Sequence, residues 1–324
     1  MVTAEKNLDI FFETPWQSLI KIEKGWKVSV LIDGNKRTII TSQIIDATEL
    51  GDVAAAIGVP YHIGMDIKDR YNEAIALPQA NNVIQDLTYV LILKEYDQPV
   101  AISKPEGYDP TLFYCATANK KCKDSTSMNR VLWTKDKMIT YGKLPNKKYM
   151  INWPINGNDF YTNTIEKPPE ERDIIYEKAK LKSLQFLYYL QTELGFKNFG
   201  IATNEFPTED GFPLIPYHRE SRRIVGEVTL TLNHIAKPYD QPSPLYRTAI
   251  AVGDYPVDHH HAAHPKASEL PQLHFYPVTS YSISIGSLIP TSEENLIITE
   301  KSISVSNIVN GLSLIHISEP TRPY

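Results

Sequence analysis

Only two cysteines, Cys115 and Cys122, occur in the 324 residues. Their spacing, in CATANKKC, fits neither a CxxC redox pair nor a common zinc knuckle, which leaves two free thiols or one local disulfide. No apolar run is long enough to span a bilayer as a helix. The net charge is only −5, so nothing electrostatic calls for nucleic acid or an anionic membrane as partner. The opening MVTAEKNLDIFFETP lacks the basic start and apolar centre of a signal peptide. Internal repeats and low-complexity tracts are missing as well.

What remains is ordinary globular material, 42% hydrophobic and 22% charged, with ample length to bury a core in one large domain or two moderate ones. Nineteen tyrosines and twenty-three prolines favour strands and loops over a helix bundle. The first fifty residues read as a β-meander: NLDIFFET, QSLIKIEKG, WKVSVLIDG and RTIITSQIIDAT, with a hairpin turn at Asp33-Gly34-Asn35. A short small-residue helix follows over 53–57, ended by Gly58 and Pro60. LTYVLILKEY reads as one strong strand. One long helix spans 168–195. Pro168 and Pro169 suit its first turn, Glu170 and Glu171 complement its dipole, and Gly195 suits its C-terminal end. Ile174, Leu181, Leu184, Tyr188 and Leu194 fall near one face of it. Strand-like alternation returns at Val228, Leu230 and Leu232. Strands, an irregular middle with one long helix, then strands again imply an α/β domain with a second, α+β domain inserted into it.

Two stretches concentrate chemistry. VGDYPVDHHHAAHP holds four histidines and two aspartates. His259 and His261 on one side of an extended segment make an HxH pair, and a zinc or iron site would take a third ligand from Asp254, His264 or His274. On that alternative the chain is a metal-dependent hydrolase or lyase acting on carbohydrate, with the His259–His264 cluster as ligands. The other reading is acid–base work by His259 or His260, because histidine titrates in the useful range, with Asp258 orienting it. HRESRR sets three arginines around Glu220. As a strand it would turn Arg219, Ser221 and Arg223 one way and His218, Glu220 and Arg222 the other. A fixed guanidinium can stabilise negative charge or hold a carboxylate through two bonds, and equally can pin a strand by pairing with Glu220. NWPINGNDFY offers Trp153, Asn156, Asn158, Asp159 and Tyr161, which suit a polyol surface or a well-turned loop, and the loop is the preferred reading.

Six stretches, in order, resemble the FAD-dependent oxidoreductases of the two-domain, glutathione-reductase-like class. They are IIDATELGDVAAAIGVP, YMINWPINGNDFY, YLQTELGF, FPLIPYHRESRRIVGE, AVGDYPVDHHH and NLIITEKSISVSNIVNG. The resemblance implies FAD as cofactor, a small-molecule substrate, and a partial Rossmann-like FAD-binding domain with β-meander beside a mixed substrate or cap domain. It places FAD-binding segments at 1–64 and 251–311 and the cap over 65–250. It assigns Asp46, Ala47, Thr48, Gly51, Asp52, Ser302 and Ser304 to the cofactor, and Arg219, Arg222, Arg223, Asp258, His259 and His260 to the substrate side. No metal is expected. The chain departs from the family pattern twice: Glu49-Leu50 intervenes before Gly51, and Glu300-Lys301 stands where relatives often carry Gly-Arg.

No GxGxxG occurs in the sequence. That phosphate-gripping unit lies upstream of the meander in the family, so the chain is expected to be a fragment that binds FAD poorly and turns nothing over, a non-catalytic binding fragment in practice. At the other end, residues 312–322 match a one-frame translation of a common transposase-type sequencing adapter. The expectation is that 312–324 is not native coding sequence.

Overall fold

The computed structural model describes residues 5–123, 131–240, 246–271 and 273–312; positions 313–324 of the tail lie outside them. An antiparallel meander comes first: β1 (Trp16–Ile22), β2 (Gly25–Ile32) and β3 (Asn35–Thr41). Asp33 and Gly34, with φ of 49° and 73°, fill the two-residue turn between β2 and β3. Positive φ at both positions matches the twist of the flanking strands, which is why Asp-Gly signals a hairpin. NLDIFFET departs from expectation. Residues 8–14 form no strand, and Phe11 and Phe12 are 54% and 78% exposed. With no neighbouring strand to pair with, their β-propensity finds no ladder.

After β4 (Ile44–Asp46) come α1 (Asp52–Ala56), β5 (Tyr61–His62) and α2 (Lys68–Tyr71). LTYVLILKEY is split into β6 (Leu87–Thr88) and β7 (Leu91–Glu95). Thr88 exchanges two backbone bonds with Tyr217, and β6 pairs with a different partner from β7, so the chain leaves one sheet for another between them. Next are α3 (Lys135–Tyr141), β8 (Lys143–Leu144), β9 (Lys148–Ile151), β10 (Asp159–Phe160) and α4 (Pro169–Thr192). The order closes with β11 (Phe199–Ile201), β12 (Arg223–Ile224), α5 (Leu232–Ala236), β13 (Ala249–Gly253), β14 (Tyr281–Ser284), β15 (Leu296–Ile298) and α6 (Asn307–Asn310). The alternation expected at Val228, Leu230 and Leu232 yields only a bridge from Leu230 to Val305, and Leu232 opens α5, where Thr231 and His234 form a reciprocal cap.

Cys115 and Cys122 form a disulfide, which settles the two options that their spacing left open. No helix among the described residues is long and apolar enough to cross a membrane.

The largest core lies between α4 and the sheet ordered β11-β7-β9-β8, and its buried members run from Leu87 to Phe212. α4 starts and stops as its signals predict, with Gly195 at φ 85° just beyond its end. Its buried face is different from the expected one. Ala179, Ser183, Phe186, Leu187 and Leu190 face the core, whereas Ile174 is 61% exposed. Ser183 sits at the centre of that face because its Oγ donates to the Tyr89 carbonyl at 2.7 Å, where no ladder partner is available. A polar residue in the middle of a buried stripe hides it from apolar periodicity.

A smaller cluster positions the site. Trp26 of β2, Ala54 of α1, Val59, Ile224 of β12, and Leu296 and Ile298 of β15 pack together. The Trp26 indole also donates to the Asn295 carbonyl at 3.0 Å, fixing the meander to the start of β15. β15 runs parallel to β4, with Leu296, Ile297 and Ile298 opposite Ile44, Ile45 and Asp46. Parallel strands are ordinarily covered on both faces. Here Ile45 is 64% exposed. Short parallel and antiparallel sheets alternating with helices place the chain in the α/β class.

Candidate active site

The carboxyl ends of β4 and β15 lie side by side. Asp46, at the end of β4, uses both carboxylate oxygens on the loop that follows. Oδ1 accepts from the Thr48 backbone N–H (2.9 Å) and hydroxyl (2.6 Å), and Oδ2 accepts from Ala54 N–H (2.8 Å). The Thr48 hydroxyl in turn accepts from Asp52 N–H at 2.8 Å. Side-chain oxygens thus occupy N–H groups that the first turn of α1 cannot satisfy itself. Gly51 adopts φ 67°, and a Cβ there would lie 2.7 Å from Ser302 Oγ, so glycine lets this loop close onto the chain beyond β15. Ser302 and Ser304 are fully buried and paired with Ser221 (2.8 Å) and Thr229 (2.9 Å). Asp46, Gly51, Asp52, Ser302 and Ser304 therefore shape the strand ends from within. Ala47 is exposed, and Thr48 is half-buried with its hydroxyl turned inward to Asp46 and Asp52.

The two departures from the family pattern meet each other. Lys301 Nζ lies 2.9 Å from Glu49 Oε1, with His218 Nδ1 3.5 Å from the same oxygen. Burial alone would raise the Glu49 carboxyl, but the His218 contact and the Lys301 charge outweigh it and hold it below its ordinary range. Glu300 adopts φ 58°, the left-handed region that a side chain disfavours by about 1–2 kcal/mol. Glu300→Gly relieves that strain and restores about 0.4–1 kcal/mol of unfolded-chain entropy, so a net gain of up to about 1 kcal/mol is expected. The thermal midpoint reads it. A drop of several degrees would mean the Glu300 side chain holds something that the backbone argument omits.

The three arginines are buried in separate places, and 219–222 do not form the strand that alternation assumed. Arg219 donates to the Asp86 carbonyl (2.7 Å), Asn152 Oδ1 (2.9 Å) and Asp159 Oδ1 (3.0 Å). Arg222 reaches the Leu50 carbonyl (2.7 Å), Asp52 Oδ1 (2.8 Å) and the Ile165 carbonyl (2.5 Å). Arg172 of α4 grips the same Asp52 carboxylate with two nitrogens, at 2.7 and 2.8 Å. Arg223 pairs with Glu220 (3.0 Å) and Asp66 (3.2 Å). The strand-pinning ion pair is thus the geometry observed for Glu220.

The histidines divide in the same way. His259 is buried, 3.2 Å from His261 and 3.1 Å from the Ile308 carbonyl, and burial lowers it to about 4. His260 is half-buried, with Nε2 3.3 Å from Asp258 Oδ2. Asp258 Oδ1 also meets Nδ1 of exposed His274 at 2.6 Å. Burial works to raise Asp258, but the bonds from His260 and His274 outweigh it and hold the carboxylate far below its usual range. Phe275, beside His274, sits at φ 52° with its ring 4.3 Å from that imidazole. Strain of this kind gathers at functional sites. Among the described residues, no three His, Cys, Asp or Glu side chains are grouped so as to hold a metal ion. His259 and His261 face each other, not a common centre, and nothing in this geometry favours the metal-dependent alternative.

Asn158, in NWPINGNDFY, is fully buried and bonds Trp153 N–H and the Tyr89 and Ile151 carbonyls, so this stretch is a fixed loop over the core. Asp86 carries no motif that marks it in the sequence. A carboxylate directly ahead of the largely apolar LTYVLIL was the signal available.

A family model described as FAD dependent oxidoreductase matches residues 1–312. The chain belongs to that family. No curated protein and no solved structure matches the chain. FAD is the family's cofactor, and redox chemistry its general activity. The donor set suits it. Nucleotide cofactors bind outside the carboxyl ends of parallel strands, and here exposed Ala47 lies at that end of β4, with the buried Lys301–Glu49 ion pair beside it.

Proposed function

We propose that the chain carries the meander and strand-end portion of an FAD site, together with the proton-handling groups of an enzyme that oxidises a small organic molecule. The parallel β4–β15 pair, with Ile45 and Ala47 left open at its outer side, carries this reading. Ala47 and Thr48 would contact the cofactor, and Asp46, Gly51, Asp52, Ser302 and Ser304 would hold them in place. FAD held there would supply a two-electron acceptor for the substrate.

The substrate's remaining proton needs a base, and His260 suits that role better than His259. It is partly open to solvent and lies 3.3 Å from the Asp258 carboxylate, whereas His259 is buried against a carbonyl. Asp258 orients the ring. Arg219, Arg222 and Arg223 each engage carboxylates and carbonyls from other segments, which supports a role in holding the site's walls and its charge balance.

Hydrogen exchange read by mass spectrometry tests the cofactor surface. Millimolar FAD is expected to slow exchange in the peptides covering 44–51 and 296–302 and to leave α4 unchanged. Without a GxGxxG unit the chain is expected to bind weakly. A preparation of these residues carrying stoichiometric FAD would contradict that, and protection confined to segments away from the strand ends would sink the placement.

A further inference from the structure

We propose that Lys301 and His218 form an anion site at the strand ends, that the Glu49 carboxylate occupies it as a latch, and that a pyrophosphate group displaces Glu49 when a dinucleotide binds. Naming the cofactor's pyrophosphate as the natural occupant rests on the proposed function; the anion site and its latch do not.

The donors are fixed. Lys301 lies in the single turn Glu300–Ser302 that follows β15. Its carbonyl accepts from the Asn310 amide at 2.8 Å, and the next residue, Ser302, is bonded to Ser221. The Lys301 side chain is only 7% exposed, and its Nζ has one ion-pair partner among the described residues, Glu49 Oε1 at 2.9 Å. His218 is 4% exposed. Burial lowers its pKa, so the ring is neutral and carries one N–H. Its Nε2 lies 3.3 Å from both the Thr164 and the Tyr176 hydroxyls, each able to donate to it, which leaves the proton on Nδ1. Nδ1 is buried and makes no hydrogen bond; Glu49 Oε1, at 3.5 Å, does not complete one. A buried cation and a buried N–H thus converge on a single oxygen that satisfies only the first.

The acceptor is free to move. Glu49 is the outermost of the three, its side chain 29% exposed. The backbone around it is held. Gly51 N–H closes a turn onto the Thr48 carbonyl (3.3 Å), buried Leu50 gives its carbonyl to Arg222, and Asp46 accepts from Thr48. Rotation of the Glu49 side chain therefore opens the site without moving the loop. Lys301 cannot stay buried without a counter-charge, so the site opens to an anion and not to a neutral group. A phosphate group suits it better than a carboxylate, because its several oxygens can meet Nζ and Nδ1 together. The tethered carboxylate competes at high effective concentration, so the latch lowers apparent affinity in proportion to the fraction of molecules in which it is open. The carboxyl ends of β4 and β15, where Ala47 is exposed, lie alongside.

Line broadening of the phosphorus NMR signal of inorganic pyrophosphate, titrated into the full chain, reads the site without flavin. Glu49→Gln keeps the size and removes the charge, whereas Glu49→Asp keeps the charge and falls one methylene short of Lys301. Both are expected to tighten pyrophosphate binding at least about ten-fold. Lys301→Met, added to either, is expected to abolish that gain. Tightening by Glu49→Gln alone would reduce the effect to general charge and overturn the latch. Unchanged or weaker binding in both variants would make Glu49–Lys301 a structural ion pair only, and a gain that survives Lys301→Met would place the anion elsewhere. Thermal midpoints show that each variant is folded; should Glu49→Gln not fold, the Glu49→Asp comparison still decides. Failure here leaves FAD protection at the strand ends as a separate result. A latch found without that protection would keep the anion site and sink its assignment to the cofactor.

Discussion

At about pH 8, where Glu220 is ionised, Arg223→Met is expected to destabilise the chain by about 3–5 kcal/mol, the range for removing one partner of a buried ion pair. Arg223 is fully buried and donates to Glu220 Oε1 (3.0 Å), Asp66 Oδ1 (3.2 Å) and the Gly64 carbonyl (2.8 Å). Methionine fills much of the volume but leaves the Glu220 and Asp66 carboxylates facing each other across an apolar side chain. Asp66 retains Arg70 at 2.8 Å and Asn307 N–H at 2.7 Å, and Glu220 retains only neutral donors, Gln85 N–H and the Asn307 amide. Glu220 is therefore the group left exposed to the full desolvation penalty. Adding Glu220→Gln to Arg223→Met should recover part of the loss, and the non-additivity of the pair measures their coupling. Denaturant midpoints at unchanged slope decide the matter. A loss below about 1 kcal/mol would show that water reaches the site and that the interior is not as closed as its packing implies. Stability of a chain this size is of order 5–15 kcal/mol, so the expected change is a large part of the whole.

Local chemistry made some features legible in the sequence, and distance along the chain hid the others. Asp33-Gly34 sets its own dihedrals, so the hairpin follows from two residues. Pro168, Glu170 and Gly195 mark the ends of α4 for the same reason. The pairing of His260 with Asp258 was readable because the two are close in sequence. Partners recruited from far away were not readable. Arg219 meets Asp86 and Asp159, and Arg223 meets Asp66, and no periodicity in HRESRR encodes which carboxylate each will find. Asp46 falls between these cases. An aspartate two residues before a threonine, ahead of a small-residue helix, is a local capping signal, and the structure uses it as one. The family resemblance drew attention to Asp46 as a cofactor residue, and its hydrogen bonds explain why the residue type suits the position even without contact to a ligand. Ser183 is the converse example: one polar side chain, donating to the Tyr89 carbonyl between β6 and β7, sits in the middle of the buried face of α4, where apolar periodicity expects a non-polar residue.

The pH dependence of stability should carry the imprint of the two raised acids. Burial raises Glu220 to about 7, and burial with the neighbouring Asp159 charge raises Asp86 to about 7. Both rise above their unfolded values, 4.5 and 3.8. A raised acid contributes stability that is fully present below its unfolded pKa and is lost as pH climbs through the folded one. Between about pH 4 and 7 each group therefore pulls stability downward with rising pH, by roughly 3–4 kcal/mol apiece. The buried histidines act in the opposite sense. His259, lowered to about 4 by burial, and His261, lowered further by burial and by His259, are neutral in the fold and charged when unfolded at acid pH, so their contribution is present above 6.5 and lost as pH falls. The two effects overlap between about pH 4.5 and 6.5, where one proton bound in the fold offsets one bound in the unfolded chain. Asp86→Asn or Glu220→Gln removes one acid from that balance. The variant's stability curve should then turn upward with pH relative to the unaltered chain, with a difference in slope near 1.4 kcal/mol per pH unit across the window and a plateau above about pH 7. Denaturant unfolding at half-unit steps measures it. Curves that stay parallel from about pH 4 to 8 would mean that Asp86 and Glu220 are ionised in the fold throughout that range.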